Sequence, residues 1–127
     1  MHKINPTLQL RLWLETPMGT LMGLGRAELL SGIHESGSLN KAAKAMGMSY
    51  RWAWGRLKEC EATVGEPLVT KVSGLRGFVL TPLGEELVKA FNLWNADVEA
   101  YALQRARELF PWPVKPIEEL PRKQAAS

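Results

Sequence analysis

The spacing of hydrophobic residues changes along this chain, from every second residue to the helical period. From Leu8 to Leu14 every second residue is a leucine, and this alternation predicts a half-buried strand over Leu8–Glu15. Pro17-Met18-Gly19 supplies turn chemistry, so Thr20–Gly23 is predicted to return as the second strand of a hairpin. From Gly25 onward the apolar residues repeat with the helical period instead.

Three short helices are predicted in succession. The first spans Gly25–Glu35, and Gly37 is placed to end it in the left-handed conformation. Ser38 and Ser49 are predicted to cap the second and third helices, because a serine hydroxyl accepts a hydrogen bond from a free backbone N–H. The turn at Gly47-Met48 between the last two helices gives the layout of a helix-turn-helix.

The third helix is predicted to have one buried and one exposed face. The apolar face follows the helical period and consists of Ala53, Leu57, Cys60 and Val64. Opposite it lie Arg51, Gly55 and Lys58, a surface suited to a polyanion, with Trp52 at its edge. Gly55 either allows another surface to pack closely against the helix or has no particular role. Trp52 either contacts DNA or packs on the surface of its own domain.

A second hairpin follows, with strands predicted over Leu68–Val72 and Phe78–Leu80 around the turn Ser73–Gly77. Directly after a helix-turn-helix, such a hairpin is a wing, and Lys71 and Arg76 would then meet DNA phosphates. The alternative is a structural hairpin that carries ordinary surface charges.

A long last helix is predicted from Thr81, its N-cap, to about Phe110. Its apolar residues repeat in a coiled-coil-like seam of Leu87, Phe91, Trp94, Val98 and Tyr101. We expect this seam to pair with a second subunit; the alternative is a helix folded back onto its own domain. Four prolines then follow, so we divide the chain into a domain at 1–110 and an extended or disordered Pro-rich tail at 111–127, from which Trp112 and Ile117 can still dock on the domain.

Positive charge is concentrated around the helix pair. The whole chain has a net charge of +3, whereas Gly37–Gly77 alone holds seven basic and three acidic residues. This distribution fits an anion-binding face or, equally, a solvated helical surface.

Several classes of function are not supported by the composition. The single cysteine, Cys60, and two histidines predict neither an internal disulfide nor a zinc site, and we expect no cofactor. No nucleophile–base pair, carboxylate pair or phosphate loop indicates an enzyme. Met1–Thr7 lacks the apolar region of a signal peptide and no apolar run is long enough for a membrane, so we expect a cytoplasmic protein.

The residues around the turn resemble the N-terminal DNA-binding domain of molybdate-dependent transcriptional regulators (ModE-like). The matching motifs are Gly37-Ser38-Leu39, Ala42-Ala43-Lys44, Met46–Arg51, Ala53-Trp54, Pro67-Leu68-Val69 and Leu80–Gly84. The resemblance covers about residues 8 to 105. The helix-turn-helix, Leu68 and the Leu80–Gly84 segment are more distantly similar to LysR-type regulators.

This resemblance implies a mainly α fold with a small β component. The implied fold is a winged helix-turn-helix with an N-terminal strand or hairpin and a long C-terminal dimerisation helix. A domain of this kind would bind a near-palindromic operator. Ser49, Tyr50 and Arg51 would lie at the DNA-facing start of the recognition helix, and Trp54 would pack against helix one. Family members continue into oxyanion-sensing domains. This sequence instead ends in the Pro-rich tail, so we expect no molybdate site. Its wing is also shorter than the family's glycine-rich one.

We therefore predict a homodimeric, sequence-specific regulator of transcription that binds double-stranded DNA. The predicted DNA-binding residues are Ser38, Lys41, Lys44, Ser49, Tyr50, Arg51, Trp52, Gly55, Lys58, Lys71 and Arg76. The alternative is a winged-helix module that binds a protein through Trp13, Trp52, Trp112 and the aromatic seam. The operator, the sign of regulation and any effector or partner protein are left open.

Overall fold

The structure is a computed structural model that describes residues 4–72 and 77–117. Within these ranges, three two-stranded sheets accompany four helices. The helices are α1 (Leu24–Ser36), α2 (Leu39–Ala45), α3 (Tyr50–Val64) and α4 (Pro82–Leu109). The strands are β1 (Thr7–Leu8), β2 (Trp13–Thr16), β3 (Gly19–Gly23), β4 (Val69–Lys71), β5 (Phe78–Leu80) and β6 (Lys115–Pro116).

The N-terminal segment forms the expected hairpin, but the single strand predicted over Leu8–Glu15 is wrong. Only β2 pairs with β3, in antiparallel register, and the Thr16 hydroxyl donates to the Gly19 carbonyl 3.0 Å away across the turn. The chain is irregular between β1 and β2, and β1 pairs in parallel with β6 from the other end of the chain. Leu14 is correspondingly 46% exposed, so the alternation of half-buried leucines, Leu8, Leu10 and Leu12, ends before it.

The helix-turn-helix has the ends that the sequence predicts. Gly37 ends α1 with φ of +72°, and its N–H donates to Ile33 O at 2.7 Å. The Ser38 hydroxyl accepts from Lys41 N at 3.1 Å and the Ser49 hydroxyl accepts from Trp52 N at 3.1 Å. These caps fix the residues at which α2 and α3 begin, and so leave only a short turn between the two helices.

One apolar core unites α1, α2, α3 and the start of α4. Its largest fully buried side chains are Leu30, Ile33, Leu39, Leu57 and Leu68. Small residues allow α1 and α2 to approach closely: a Cβ on Gly32 would lie only 2.9 Å from Ala42 Cβ. This packing holds α2 firmly, and α3 buries Ala53 and Leu57 against the same core.

The long helix α4 begins as predicted. The Thr81 hydroxyl accepts from Gly84 N at 3.1 Å, and Pro82 occupies the first turn, where it needs no N–H. The helix ends at Leu109, one residue before the predicted Phe110. Within the described residues, no helix is long and apolar enough to cross a membrane.

The first part of the Pro-rich segment returns to the body of the protein. Val114 is buried, its carbonyl accepts from Arg107 Nε at 2.6 Å, and Trp112 stacks on Phe110 with ring centroids 6.4 Å apart. Lys115 N donates to Pro6 O at 3.1 Å, which starts the pairing of β6 with β1. Residues 118–127 lie outside the described residues, and the division of the chain at residue 110 stays a prediction.

Candidate nucleic-acid interface

The outward face of α3 is the centre of the candidate interface. We call Arg51, Gly55 and Lys58 the groove face, and all three are exposed. On the opposite side Ala53 and Leu57 are at most 1% exposed, while Val64 at the end of the helix is half-buried. The predicted separation of α3 into a core side and a solvent side is therefore present in the fold. An added Cβ on Gly55 would meet no atom within 4 Å, so close packing within the subunit does not explain this glycine.

One flank of α3 is tied to the β4–β5 hairpin, which is the wing. The Trp54 ring lies 6.5 Å from the Phe78 ring, and Lys58 Nζ lies 4.5 Å from the Trp54 ring. Lys58 Nζ also contacts Glu61 at 3.2 Å, so this cation is partly neutralised. The aromatic neighbour of Trp54 is thus Phe78 in the wing, and the packing of Trp54 against helix one that the resemblance implied stays a prediction.

The other flank of α3 faces the N-terminal hairpin and carries a residue that sequence reasoning missed. Arg56 lies 4.9 Å from the centre of the Trp52 ring and 3.6 Å from a Glu59 carboxylate oxygen. A shallow groove of about 380 Å³ runs along these side chains, Arg51 and Gly55. The signal for Arg56 was its spacing of four residues from Trp52, which places both on one side of a helix.

The predicted DNA-binding residues on α2 and at the start of α3 differ in their exposure to solvent. Lys41 and Lys44 on α2 are exposed, and so are Ser49 and Tyr50, the latter by 48%. Ser38 is half-buried, and its hydroxyl already accepts from Lys41 N. The Ser38 hydroxyl therefore caps α2 in this structure, and a contact between Ser38 and DNA stays a prediction.

The wing is anchored to the helices by contacts that the sequence did not reveal. Glu61 Oε2 on α3 accepts from Leu68 N at 2.8 Å and from Val69 N at 3.3 Å. From the other strand, Phe78 N donates to Gly37 O at 3.0 Å. These bonds hold the wing against α3 and against the end of α1, with Lys71 exposed on β4. Arg76 and the turn at residues 73–76 lie outside the described residues.

The predicted dimerisation seam is divided by the fold. Phe91 is 3% exposed and packs edge-on against Trp94, with ring centroids 5.9 Å apart, inside the core of its own subunit. Leu87 and Trp94 are half-buried against the same core. Phe91 is therefore corrected from an intersubunit to an intrasubunit contact, because α4 starts within the domain. Leu87 and Trp94 pack on this core but keep exposed surface, so their role in pairing stays a prediction. Further along, Val98 is half-buried and Tyr101 is 63% exposed.

Cys60 is a packed thiol on the core side of α3. It is 2% exposed, and burial raises its pKa above the ordinary value of 9.0, an effect only partly offset by the nearby Arg26 that hydrogen-bonds it. Its Sγ donates to Leu21 O at 3.7 Å, which ties α3 to β3. Among the described residues, no group of three His, Cys, Asp or Glu side chains is placed to hold a metal ion.

The fold, with an exposed α3 beside an anchored hairpin, defines a winged helix-turn-helix. Comparison with known proteins agrees: the family model described as bacterial regulatory helix-turn-helix protein, lysR family, matches residues 24–85. This segment, from α1 to the start of α4, is similar to that family, and the predicted LysR-type resemblance is confirmed.

Curated relatives make the resemblance more specific. The chain is 35% identical over 101 residues to the molybdenum transport protein ModE of Azotobacter vinelandii, and 37% identical over 83 residues to the molybdenum-pterin-binding protein MopB of Rhodobacter capsulatus. These alignments cover 77% and 63% of this chain but only 37% and 31% of the relatives. The predicted ModE-like resemblance is therefore confirmed for a chain that spans about a third of these relatives' length.

Solved structures agree on the fold. The crystal structure of the CbnR DNA-binding domain in complex with DNA has a TM-score of 0.55 at 22% identity, and the similarity covers 68% of this chain and 99% of that one. Full-length LysG from Corynebacterium glutamicum has a TM-score of 0.53 at 29% identity over 66% of this chain and 29% of its own. The mainly α winged helix-turn-helix predicted from the sequence is thus confirmed.

Proposed function

We propose that this protein is a sequence-specific, DNA-binding regulator of transcription that acts as a dimer. The observation that carries the proposal is the groove face of α3, which exposes Arg51 in the first turn of a capped helix. The anchored wing and the exposed Lys41 and Lys44 on α2 belong to the same domain. The regulators among its relatives, such as the transcriptional dual regulator ModE of Escherichia coli, support it. Such a protein acts where the bacterial chromosome lies, so we place it in the cytoplasm.

The exposed cations divide into two roles. Lys41, Lys44 and Lys71 would contact phosphates, which supplies salt-dependent affinity without reading sequence. Arg51 is the proposed base reader, because a guanidinium at the start of a recognition helix can bond guanine O6 and N7 together. It makes no ion pair among the described residues, whereas Lys58 is held by Glu61 and Trp54. Trp52, which follows Arg51 on α3, would pack on a sugar or a thymine methyl.

Arg51→Ala and Lys44→Ala test this division after a preferred sequence has been selected from a random DNA pool. Arg51→Ala should lose about tenfold or more in affinity for the selected sequence, with a much smaller loss on random DNA. Lys44→Ala should weaken both DNAs alike and reduce the slope of log affinity against log salt by about one. Fluorescence anisotropy with a salt titration measures both effects.

Lys89→Ala is the matched control, since Lys89 is exposed on α4 outside the candidate interface. It should leave affinity and salt slope unchanged. Equal losses for Arg51→Ala on selected and random DNA would remove Arg51 as a reader. Selection that enriches no sequence would refute specific recognition altogether.

A protein-binding module is the second candidate function, and two exposed tryptophans favour it. Trp13 is 55% exposed on β2 and Trp52 is 57% exposed on α3, and large aromatic residues are frequent anchors of protein interfaces. The two functions differ in their response to salt. DNA binding that is absent, or that does not weaken as salt rises, would favour the protein-binding module.

Dimerisation is proposed through the distal half of α4, beyond the part that Phe91 fixes to the core. Large apolar side chains are exposed there: Tyr101 by 63%, Leu109 by 64% and Phe110 by 55%. A two-fold pair of such helices would cover this surface and place two α3 helices for the two halves of a near-palindromic site.

A further inference from the structure

A basic cleft lies on the flank of α3 opposite the wing. It is bounded by the N-terminal hairpin, the start of α1, the turn between α2 and α3, and α3 itself, and it has a volume of about 560 Å³. Three arginines from three separate elements reach it: Arg11 before β2, Arg26 on α1 and Arg56 on α3. We call this site the arginine cleft.

The charge of the arginine cleft is not balanced from within. None of the described residues that line it carries a carboxylate. Two acidic side chains contact residues of its lining: a Glu59 carboxylate oxygen lies 3.6 Å from Arg56, and Glu15 accepts a hydrogen bond from the Thr20 hydroxyl. Met46, Met48 and Leu29 supply apolar walls, which lower the local dielectric and strengthen the interaction of the arginines with an anion.

Arg26 holds a buried donor that no group of the described chain satisfies. Its Nη1 is buried and has no hydrogen-bond partner, while its side chain hydrogen-bonds the weak acceptor Cys60. The salt bridges among the described residues join other pairs: Arg56–Glu59, Lys58–Glu61 and Arg105–Glu108. A half-buried guanidinium without an anionic partner is costly, so an anion bound beside the exposed part of Arg26 would offset part of the cost of burying its charge.

The backbone beside the cleft also favours a negatively charged group. Gly23 is the N-cap of α1 and supplies no side-chain hydrogen bond, and the first turn of α1 holds no acidic residue. Gly23 and Gly25 both line the cleft, so the positive end of the α1 dipole lies beside the arginines without a negative side chain to complement it. Side chains and backbone are thus both arranged for a negative group.

We propose that the arginine cleft binds a tetrahedral oxyanion of the phosphate class. The group is either free inorganic phosphate or a backbone phosphate of nucleic acid that reaches past Trp52 on the rim. Arg11 and Arg56 bind its oxygens from the exposed side, and Arg26 supports them from the buried side. Binding of free phosphate does not depend on the proposed regulatory function, so the two can fail separately.

Arginine side-chain NMR on the full chain tests the proposal directly. The Nε–Hε resonance of Arg26 is followed while inorganic phosphate replaces chloride at constant ionic strength. We expect a saturable shift, with a dissociation constant raised about tenfold in Arg11→Ala, because one charge-assisted hydrogen bond to the anion is lost. Arg11 is exposed, so this variant should fold. The matched control is Arg105→Ala on distal α4, which should bind phosphate as the unchanged chain does.

A second titration with duplex DNA identifies the source of the phosphate. A shift of the Arg26 resonance with DNA but not with inorganic phosphate, lost in Arg11→Ala, assigns the cleft to the nucleic-acid backbone. DNA binding that leaves the Arg26 resonance unmoved, together with no response to phosphate, overturns the cleft but leaves the regulatory function intact. Equal phosphate affinity in Arg11→Ala and Arg105→Ala also overturns it.

Discussion

Gly55 and Gly84 are both helical glycines, yet their surroundings give them opposite tolerance for a side chain. A Cβ on Gly55 would meet nothing within 4 Å. A Cβ on Gly84 would clash with the carbonyl oxygen of Leu68, which accepts a hydrogen bond from Thr81 N at 2.9 Å. Gly84 therefore allows the start of α4 to lie against the chain that enters the wing.

Alanine at these two positions should change stability in opposite directions. Gly55→Ala should raise the free energy of unfolding by up to about 1 kcal/mol, because alanine favours the helix and has room. Gly84→Ala should lower it by about 1–3 kcal/mol, because the backbone of Leu68 must move. Urea denaturation of both variants measures the difference, and a Gly84→Ala variant as stable as Gly55→Ala would contradict the close contact.

At the scale of the element, the caps define the helix-turn-helix more sharply than the helical stripes do. Helix α2 has only seven residues and would be marginal alone, so its cap and its packing on α1 decide that it forms. Helix α3 begins at a cap whose acceptor is exposed to solvent, Ser49. That serine positions the first turn, which holds the proposed base reader.

Ser49→Ala should cost about 1 kcal/mol of stability, since the amide of Trp52 loses its acceptor. Ser49→Asn offers an equivalent acceptor without a charge and should keep nearly all of the free energy of unfolding. Thermal or urea unfolding of the two variants makes the comparison. If both variants lose the same stability, the hydroxyl does not act as a cap.

The elements also show where sequence patterns stop being informative. The caps, both wing strands and the core face of α3 follow from local rules, because each depends on residues a few positions apart. The pairing of β1 does not, because its partner strand contains Lys115, more than a hundred residues further along the chain. Likewise Arg56 and Glu61 look like ordinary surface charges until the hairpin and the wing are placed beside α3.

At the scale of the whole molecule, the division of α4 gives a prediction about assembly. Tyr101→Glu places a charge on the exposed part of the seam and should raise the monomer–dimer dissociation constant by about tenfold or more. The fold of the subunit should persist, since Tyr101 contributes little to the core. Sedimentation velocity over a range of concentrations measures the change.

The control for this prediction is Ala100→Glu. Ala100 is exposed and precedes Tyr101 on α4, about 100° away around the helix. The added charge is the same, so a general effect of acidity would appear in both variants. A wild-type chain that is monomeric at all concentrations, or dimers that withstand Tyr101→Glu, would rule out the proposed pairing.

The sequence by itself determined the local features: the glycine that ends α1, the caps at Ser38, Ser49 and Thr81, and the two faces of α3. Each is set by propensities and by hydrogen bonds within one or two turns of chain. Only the tertiary structure decided that Phe91 belongs to its own core, that the Pro-rich segment returns to β1, and that three arginines meet in one cleft. These results depend on contacts between residues far apart in the chain, and no periodic pattern specifies which distant surface a given face will cover.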